Sequence, residues 1–134
     1  MSEANRTIAV LGGGAWGTAL AVTMLRAGHR TTLWARDAET IEAVDARREN
    51  PRYLPGIRLD AGLAATGDLA QAVKQADCVL AAVPAQAMRG LLDGIATLLS
   101  PKIPLVLCAK GIERGTGLLL SEIAAELVPG SPVA

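Results

Sequence analysis

Three groups of residues in this sequence have types and spacings that could bind or act on a phosphorylated ligand. They are the glycine-rich run Gly12–Gly17 with the spacing G-x-G-x-x-G, the arginine Arg36 and the lysine Lys110. Glycines let a backbone approach an anion closely, and the two cations can pair with phosphate or polarise a carbonyl group. These groups can act together only if the fold brings them to one cleft.

The glycine-rich run lies between a strand pattern and a helix pattern. Residues 7–11 are apolar without alternation, which is typical of a parallel strand covered on both faces, and apolar residues recur at helical spacing over residues 16–27. In this context Gly12 turns the chain, Gly14 allows a pyrophosphate to approach, and Gly17 lets the helix pack on the strand. The pattern predicts a dinucleotide-binding turn, the alternative being a tight turn that binds no ligand.

Strand and helix patterns alternate along the rest of the chain. Strands are predicted at 31–35, 63–66, 77–83 and 104–109, and helices at 38–47, 69–75, 87–99 and 117–127, with Asp37, Asp68 and Thr116 as N-caps and 50–56 as a loop. This alternation predicts an α/β fold of the Rossmann type, with a doubly wound, mostly parallel sheet and helices on both faces. We expect residues 1–134 to form one such domain.

Arg36 directly follows the second predicted strand. The carboxyl ends of parallel strands form one edge of the sheet, where ligands of such folds collect. A cofactor without a 2′-phosphate usually meets an acidic residue there, whereas an arginine can pair with a 2′-phosphate and stack on adenine. Arg36 therefore favours NADP over NAD. The neighbouring Asp37 keeps NAD open, and an ordinary solvated cation is the alternative for Arg36.

Lys110 follows the strand predicted at 104–109. A compact ammonium at this edge could hold a substrate phosphate or polarise a carbonyl near the nicotinamide, the alternative being a plain surface lysine. Glu113 is expected to form local ion pairs or caps rather than transfer protons. Trp16 packs either on a cofactor or on a loop, and Tyr53 either closes over a cofactor or anchors its own loop.

Composition and charge exclude several classes of protein. The chain has 134 residues, is 51% apolar and carries 13 basic and 13 acidic residues, so we expect no general affinity for nucleic acid. We expect no membrane span, no signal peptide at residues 1–6 and a cytoplasmic location. Cys78 and Cys108 have neither disulfide nor metal spacing and are expected to be buried. No metal site is predicted, because His29 has no companion ligand at a suitable spacing.

Five motifs together resemble those of the bacterial NAD(P)-dependent glycerol-3-phosphate dehydrogenases. The motifs are Gly12–Ala21, Leu33–Arg36, Asn50–Gly56, Val83-Pro84 and Lys110–Glu113. The resemblance implies reversible reduction of dihydroxyacetone phosphate to sn-glycerol 3-phosphate, which serves phospholipid synthesis. It implies cofactor contacts at Gly12, Gly14, Ala15, Trp16, Gly17 and Arg36, and contacts with both cofactor and substrate at Lys110.

The resemblance also implies a helical C-terminal domain, absent from this sequence, that carries the lysine acting as general acid and base. We therefore expect this chain to bind NADP or NAD but to have little activity. Its expected partner is the small-molecule substrate, and a homodimer is left open. Two other functions stay open: a non-catalytic nucleotide-binding or regulatory module, and a related reductase such as a ketopantoate reductase.

Overall fold

Strands and helices alternate along most of the chain. The computed structural model describes residues 5–134; residues 1–4, part of the segment expected to lack a signal peptide, lie outside the described residues. The strands are β1 (Thr7–Leu11), β2 (Arg30–Trp34), β3 (Glu49–Asn50), β4 (Leu54–Arg58), β5 (Ala64–Thr66), β6 (Cys78–Ala81) and β7 (Leu105–Leu107). The helices are α1 (Ala15–Arg26), α2 (Ala38–Arg47), α3 (Leu69–Val73), α4 (Ala85–Ile95) and α5 (Leu120–Leu127).

Five of the strands form one sheet in the order β5-β2-β1-β6-β7. Every neighbouring pair in it is parallel. From β1 the chain moves outward through β2 to β5, and then returns to pair β6 with the other side of β1. The strand order therefore reverses between β1 and β6, and a cleft opens beyond the carboxyl ends of the strands at this point. The predicted doubly wound Rossmann-type fold is confirmed.

The core has one apolar layer on each face of the sheet. In β1, Ala9 and Leu11 belong to the layer shared with α4 and α5, and Ile8 and Val10 belong to the layer shared with α1 and α2. Successive side chains of a strand point to opposite faces, so both sets are buried only because helices cover both faces. This explains why the strand is apolar without alternation. Cys78 and Cys108 pack against the second layer and are half-buried rather than buried.

The segment predicted as a plain loop at residues 50–56 contains strand pairing, so that prediction was wrong. β3 and β4 form an antiparallel pair in which Asn50 is opposite Leu54 and Glu49 is opposite Arg58, with an irregularity between the two pairs. Pro51 lies in the turn between the strands, where its missing N–H costs no ladder hydrogen bond. Prolines and glycines here mark a reversal of the chain rather than an absence of strands.

The start of the last helix also differs from the prediction. Thr116 is not an N-cap, because α5 begins at Leu120 and the carboxylate of Glu122 accepts a hydrogen bond from the Leu119 N–H at 2.9 Å. Gly115 and Gly117 have φ values of +87° and +70°, which an α-helix does not allow. These two glycines form a turn in place of the first helical turn. The helix predicted at 87–99 also differs: α4 ends at Ile95, and Leu98 beyond it is 41% exposed.

Candidate functional site

A cavity of about 520 Å³ opens at the carboxyl edge of the sheet, at the point where the strand order reverses. The first residues after four of the parallel strands lie in its wall: Gly12 after β1, Ala35 after β2, Ala82 after β6 and Cys108 after β7. The glycine-rich run, Arg36, Asp37, Tyr53 and Pro84 complete much of the lining. The cavity thus joins two of the three groups that the sequence singles out.

The glycines of the run have different structural constraints. Gly12 has a φ of +134°, and a Cβ atom there would lie 2.6 Å from the carbonyl oxygen of Ala82. A Cβ atom on Gly17 would overlap the carbonyl oxygen of Gly12, so α1 packs on the end of β1 only with glycine at this position. A Cβ atom on Gly14 would meet no protein atom within 4 Å. The fold therefore requires Gly12 and Gly17, while the space beside Gly14 is open.

Two helix N-termini at this cavity lack a side-chain cap. Gly14 precedes α1 and Pro84 precedes α4; neither helix has a side-chain cap or an acidic residue in its first turn. By contrast, Asp37 and Asp68 cap α2 and α3 as predicted. The first N–H groups of a helix have no partner within the helix, and the helix dipole makes that end positive. The cavity therefore has the backbone donors and the polarity of an anion site.

Arg36 and Asp37 differ in the contacts that their charged groups make with the rest of the protein. Arg36 is exposed and lines the cavity, and within residues 5–134 its guanidinium has no ion-pair partner. Asp37 accepts hydrogen bonds from the Thr40 hydroxyl at 2.8 Å, the Arg52 guanidinium at 3.2 Å and the Glu39 N–H at 3.3 Å. These contacts, the Thr40 hydrogen bond above all, lower the pKa of the Asp37 carboxyl. The carboxylate is ionised at neutral pH, and three of its roughly four acceptor positions are occupied.

Lys110 is exposed beside the cavity rather than in its wall, directly after the lining residue Ala109. The backbone that follows it is held against α4 by the Gln86 side chain. That amide donates to the carbonyl oxygen of Ile112 at 3.0 Å and accepts from the N–H of Arg114 at 3.0 Å. The position of Lys110 is therefore fixed by the fold, while its ammonium extends from an anchored segment.

Glu113 supplies the second anchor of the same segment. Its carboxylate accepts from the Arg89 guanidinium at 2.8 and 3.1 Å and from the Thr116 hydroxyl at 2.6 Å. The Arg89 hydrogen bonds hold the pKa of Glu113 below its usual range. Glu113 is therefore ionised and bound at neutral pH, and the prediction of local ion pairing is confirmed.

Asn50, the first residue of the Asn50–Gly56 motif, was given no individual role by the sequence. Its side chain is fully buried. The amide nitrogen donates to the Gly13 carbonyl oxygen at 2.9 Å and to the Thr18 hydroxyl at 2.8 Å, and the amide oxygen accepts from the Tyr53 N–H at 3.3 Å. In sequence, an asparagine before a proline indicates only a turn. Nothing local shows which distant groups it will bind.

Trp16 and Tyr53, for each of which the sequence left two roles open, lie in the cavity wall. Trp16 is 60% exposed, so it is not packed into the protein against a loop. Tyr53 is 41% exposed, and the guanidinium of Arg52 lies 5.1 Å from the centre of its ring. Each offers an apolar surface to a ligand in the cavity.

Two further properties concern the described part of the chain. Within residues 5–134, no three His, Cys, Asp or Glu side chains are grouped so as to hold a metal ion. No helix in the same range combines the length and the apolar character needed to cross a membrane.

Comparisons with known proteins agree with one another. Residues 7–134 match a family model described as "NAD-dependent glycerol-3-phosphate dehydrogenase N-terminus". A glycerol-3-phosphate dehydrogenase (NAD(P)+) of Chelativorans sp. (strain BNC1) is 56% identical over 128 residues, which are 96% of this chain and 39% of the relative. That of Rhodospirillum rubrum is 53% identical over 134 residues, which are 100% of this chain and 38% of the relative.

A solved structure gives the same result for the fold. The crystal structure of a glycerol-3-phosphate dehydrogenase from Coxiella burnetii superposes with a TM-score of 0.89 at 30% identity, covering 96% of this chain and 39% of that chain. This chain thus spans less than two fifths of the length of the proteins that it resembles.

Proposed function

The chain belongs to the family of NAD-dependent glycerol-3-phosphate dehydrogenases, and we propose that it binds NADP or NAD for the reversible reduction of dihydroxyacetone phosphate to sn-glycerol 3-phosphate. One observation carries the proposal. The wall of the cavity is open beside Gly14 at the N-terminus of α1, and the N-terminus of α4 begins at the same wall; neither helix has a side-chain cap on its first N–H groups. This arrangement suits the pyrophosphate of a dinucleotide.

In this proposal the first turn of α1 binds the pyrophosphate. Gly12 and Gly17 allow the turn and the close packing of the helix, and Gly14 leaves room for the phosphate oxygens. The N–H groups of Ala15 and Trp16 lie at the start of α1, where no carbonyl of the helix can accept from them. Charge-assisted hydrogen bonds from such donors favour a doubly charged pyrophosphate over water.

Arg36 is the residue that we assign to the adenosine end. A guanidinium can bind a 2′-phosphate through two parallel hydrogen bonds, which a ribose hydroxyl cannot match. Asp37, the acidic alternative for a ribose, already accepts from Thr40, Glu39 and Arg52. Both facts favour NADP over NAD.

Replacing Arg36 by serine is expected to weaken NADPH binding about tenfold and NADH binding less than twofold, because only NADPH carries the phosphate. Titrations that follow nicotinamide fluorescence measure both constants. Arg58→Ser is the matched control, since Arg58 is also exposed but lies on β4 outside the cavity lining. Equal losses for both cofactors would contradict the assignment of Arg36 to the 2′-phosphate.

Lys110 is the residue that we assign to the substrate. Bound NADPH supplies the hydride that reduces the substrate carbonyl. An ammonium beside the cavity can hold the substrate phosphate or stabilise the negative charge that develops on the carbonyl oxygen. The oxygen must also receive a proton, and we assign this step to a lysine in the part of the family's length that this chain does not match. Residues 1–134 would then be the cofactor domain.

The proposed function is tested in two steps. The 134-residue chain is titrated with NADPH, and we expect saturable binding at submillimolar concentration. A chimera, in which this chain replaces the matching region of the Rhodospirillum rubrum relative, is then assayed with dihydroxyacetone phosphate. Absence of NADPH binding by the chain would refute the cofactor site. Binding with an inactive but folded chimera would favour a non-catalytic nucleotide-binding module.

The proposed function also bears on the location and the partners of the protein. We propose the cytoplasm as the compartment, because a water-soluble phosphorylated substrate and a reduced nicotinamide cofactor are both available there. With 13 basic and 13 acidic residues the chain has no net charge to attract nucleic acid. A homodimer would be revealed by light scattering at two protein concentrations.

A further inference from the structure

We propose that Asn50 is a positioning residue, which orients the glycine turn for the pyrophosphate and couples it to the segment that carries Tyr53. The inference rests on the proposed function, because it concerns the same cavity. Asn50 lies in β3, outside the glycine-rich run, and does not itself line the cavity. Its effect on a ligand must therefore pass through the groups that it binds.

Both N–H donors of the Asn50 amide and its oxygen form hydrogen bonds. Its nitrogen donates both protons, one to the Gly13 carbonyl oxygen and one to the Thr18 hydroxyl, while its oxygen accepts from the Tyr53 N–H. No other side chain of this size supplies two donors and one acceptor on a single short branch. In a carboxylate an acceptor oxygen would replace the donor nitrogen and face the Gly13 oxygen, and an alanine would leave that oxygen without its partner.

The bond to the Gly13 oxygen controls the next N–H group. Gly13 C=O and Gly14 N–H belong to one planar trans peptide, in which they point in opposite directions. Holding the oxygen toward Asn50 at 2.9 Å therefore turns the Gly14 N–H away from Asn50. Gly14 lines the cavity, and a Cβ atom there would meet nothing within 4 Å. The fixed N–H group is thus available to an anion beside this glycine.

The bond from the Tyr53 N–H links the turn to the opposite wall. Tyr53 lines the cavity, and Arg52 beside it pairs with Asp37 at 3.2 Å. Asn50 therefore fixes the separation between the glycine turn and the wall formed by this segment. The binding of a ligand that spans both sides depends directly on this separation, whereas the binding of a ligand confined to the Arg36 end depends on it much less.

The experiment compares two ligands in the 134-residue chain. NADPH contains the pyrophosphate, and adenosine 2′-monophosphate contains only the adenosine end. For Asn50→Asp we expect the NADPH dissociation constant to rise about tenfold or more, and that of adenosine 2′-monophosphate to change less than twofold. Amide NMR titrations measure both ligands, and in the wild type the Gly14 amide signal is expected to shift with NADPH alone.

A second pair of variants keeps the test valid if Asn50→Asp does not fold. Thr18→Val removes one acceptor of Asn50 with little change in volume, and Thr18→Ser keeps it. We expect about a threefold loss of NADPH affinity for the valine variant and none for the serine variant. Equal losses for both ligands would show a merely structural role and overturn the proposal, as would unchanged NADPH binding. Failure of the proposed function itself would differ, because the wild-type chain would then not bind NADPH.

Discussion

Gly14→Ala is expected to fold normally and to bind NADPH about 100-fold more weakly, a loss of about 2.7 kcal/mol. The added methyl group meets no protein atom within 4 Å, so the protein itself does not resist it. It would occupy the space that the proposal gives to the pyrophosphate. Two or more charge-assisted hydrogen bonds, each contributing about 1.5–3 kcal/mol, would then be lengthened or lost.

Gly17→Ala is expected to have the opposite profile, with its main effect on folding. Its Cβ atom would overlap the carbonyl oxygen of Gly12 and lie 2.9 Å from the carbonyl carbon of that residue. Both are backbone atoms at the end of β1, so neither can move without shifting the helix or the strand. We expect a destabilisation above about 3 kcal/mol, which lowers the melting temperature by about 10 °C or more.

Thermal unfolding and NADPH titration, measured on both variants, separate the two effects. Gly90→Ala is the matched control: Gly90 is exposed in α4, and a Cβ atom there meets nothing within 4 Å. This change should leave NADPH binding unaltered and stabilise the helix by up to about 1 kcal/mol. If Gly14→Ala bound NADPH as well as the wild type, the open space beside Gly14 would not be the pyrophosphate site.

Features that depend on local chemistry could be predicted from the sequence. The continuous apolar pattern at residues 7–11 predicts β1 because both faces of the strand are covered, and Asp37 and Asp68 predict helix starts because their carboxylates bind N–H groups two or three residues ahead. The position of the cleft then follows from topology, since parallel strands present all their carboxyl ends at one edge.

Features that depend on distant partners could not be predicted. Asn50 binds groups 37 and 32 residues away, at Gly13 and Thr18, and Gln86 binds the backbone of a segment 26 and 28 residues further on. The donors and acceptors of each side chain are known from the sequence. Which groups they bind is determined by how whole strands and helices pack. The same holds for the short pairing of β3 with β4, which has too few residues to form a pattern.

Lys110→Met in the chimera is expected to lower kcat/KM for dihydroxyacetone phosphate about 100-fold, which corresponds to about 2.7 kcal/mol of transition-state stabilisation. Methionine keeps much of the length of lysine and removes the charge. Because the Gln86 and Glu113 contacts hold the segment through other residues, the change should leave the fold intact. NADPH affinity is expected to fall much less, since the proposed pyrophosphate contacts lie at the glycine turn.

Steady-state kinetics with varied substrate distinguish the two roles considered for this lysine. A rise in KM with little change in kcat would assign Lys110 to the substrate phosphate, because that charge is the same in the ground state and the transition state. A fall in kcat would assign it to the carbonyl oxygen, where charge develops only during reduction. Lys74→Met, at an exposed lysine on the C-terminal side of α3, is the matched control. Kinetics unchanged from the wild type in Lys110→Met would remove this lysine from the site and leave the cavity with a cofactor role alone.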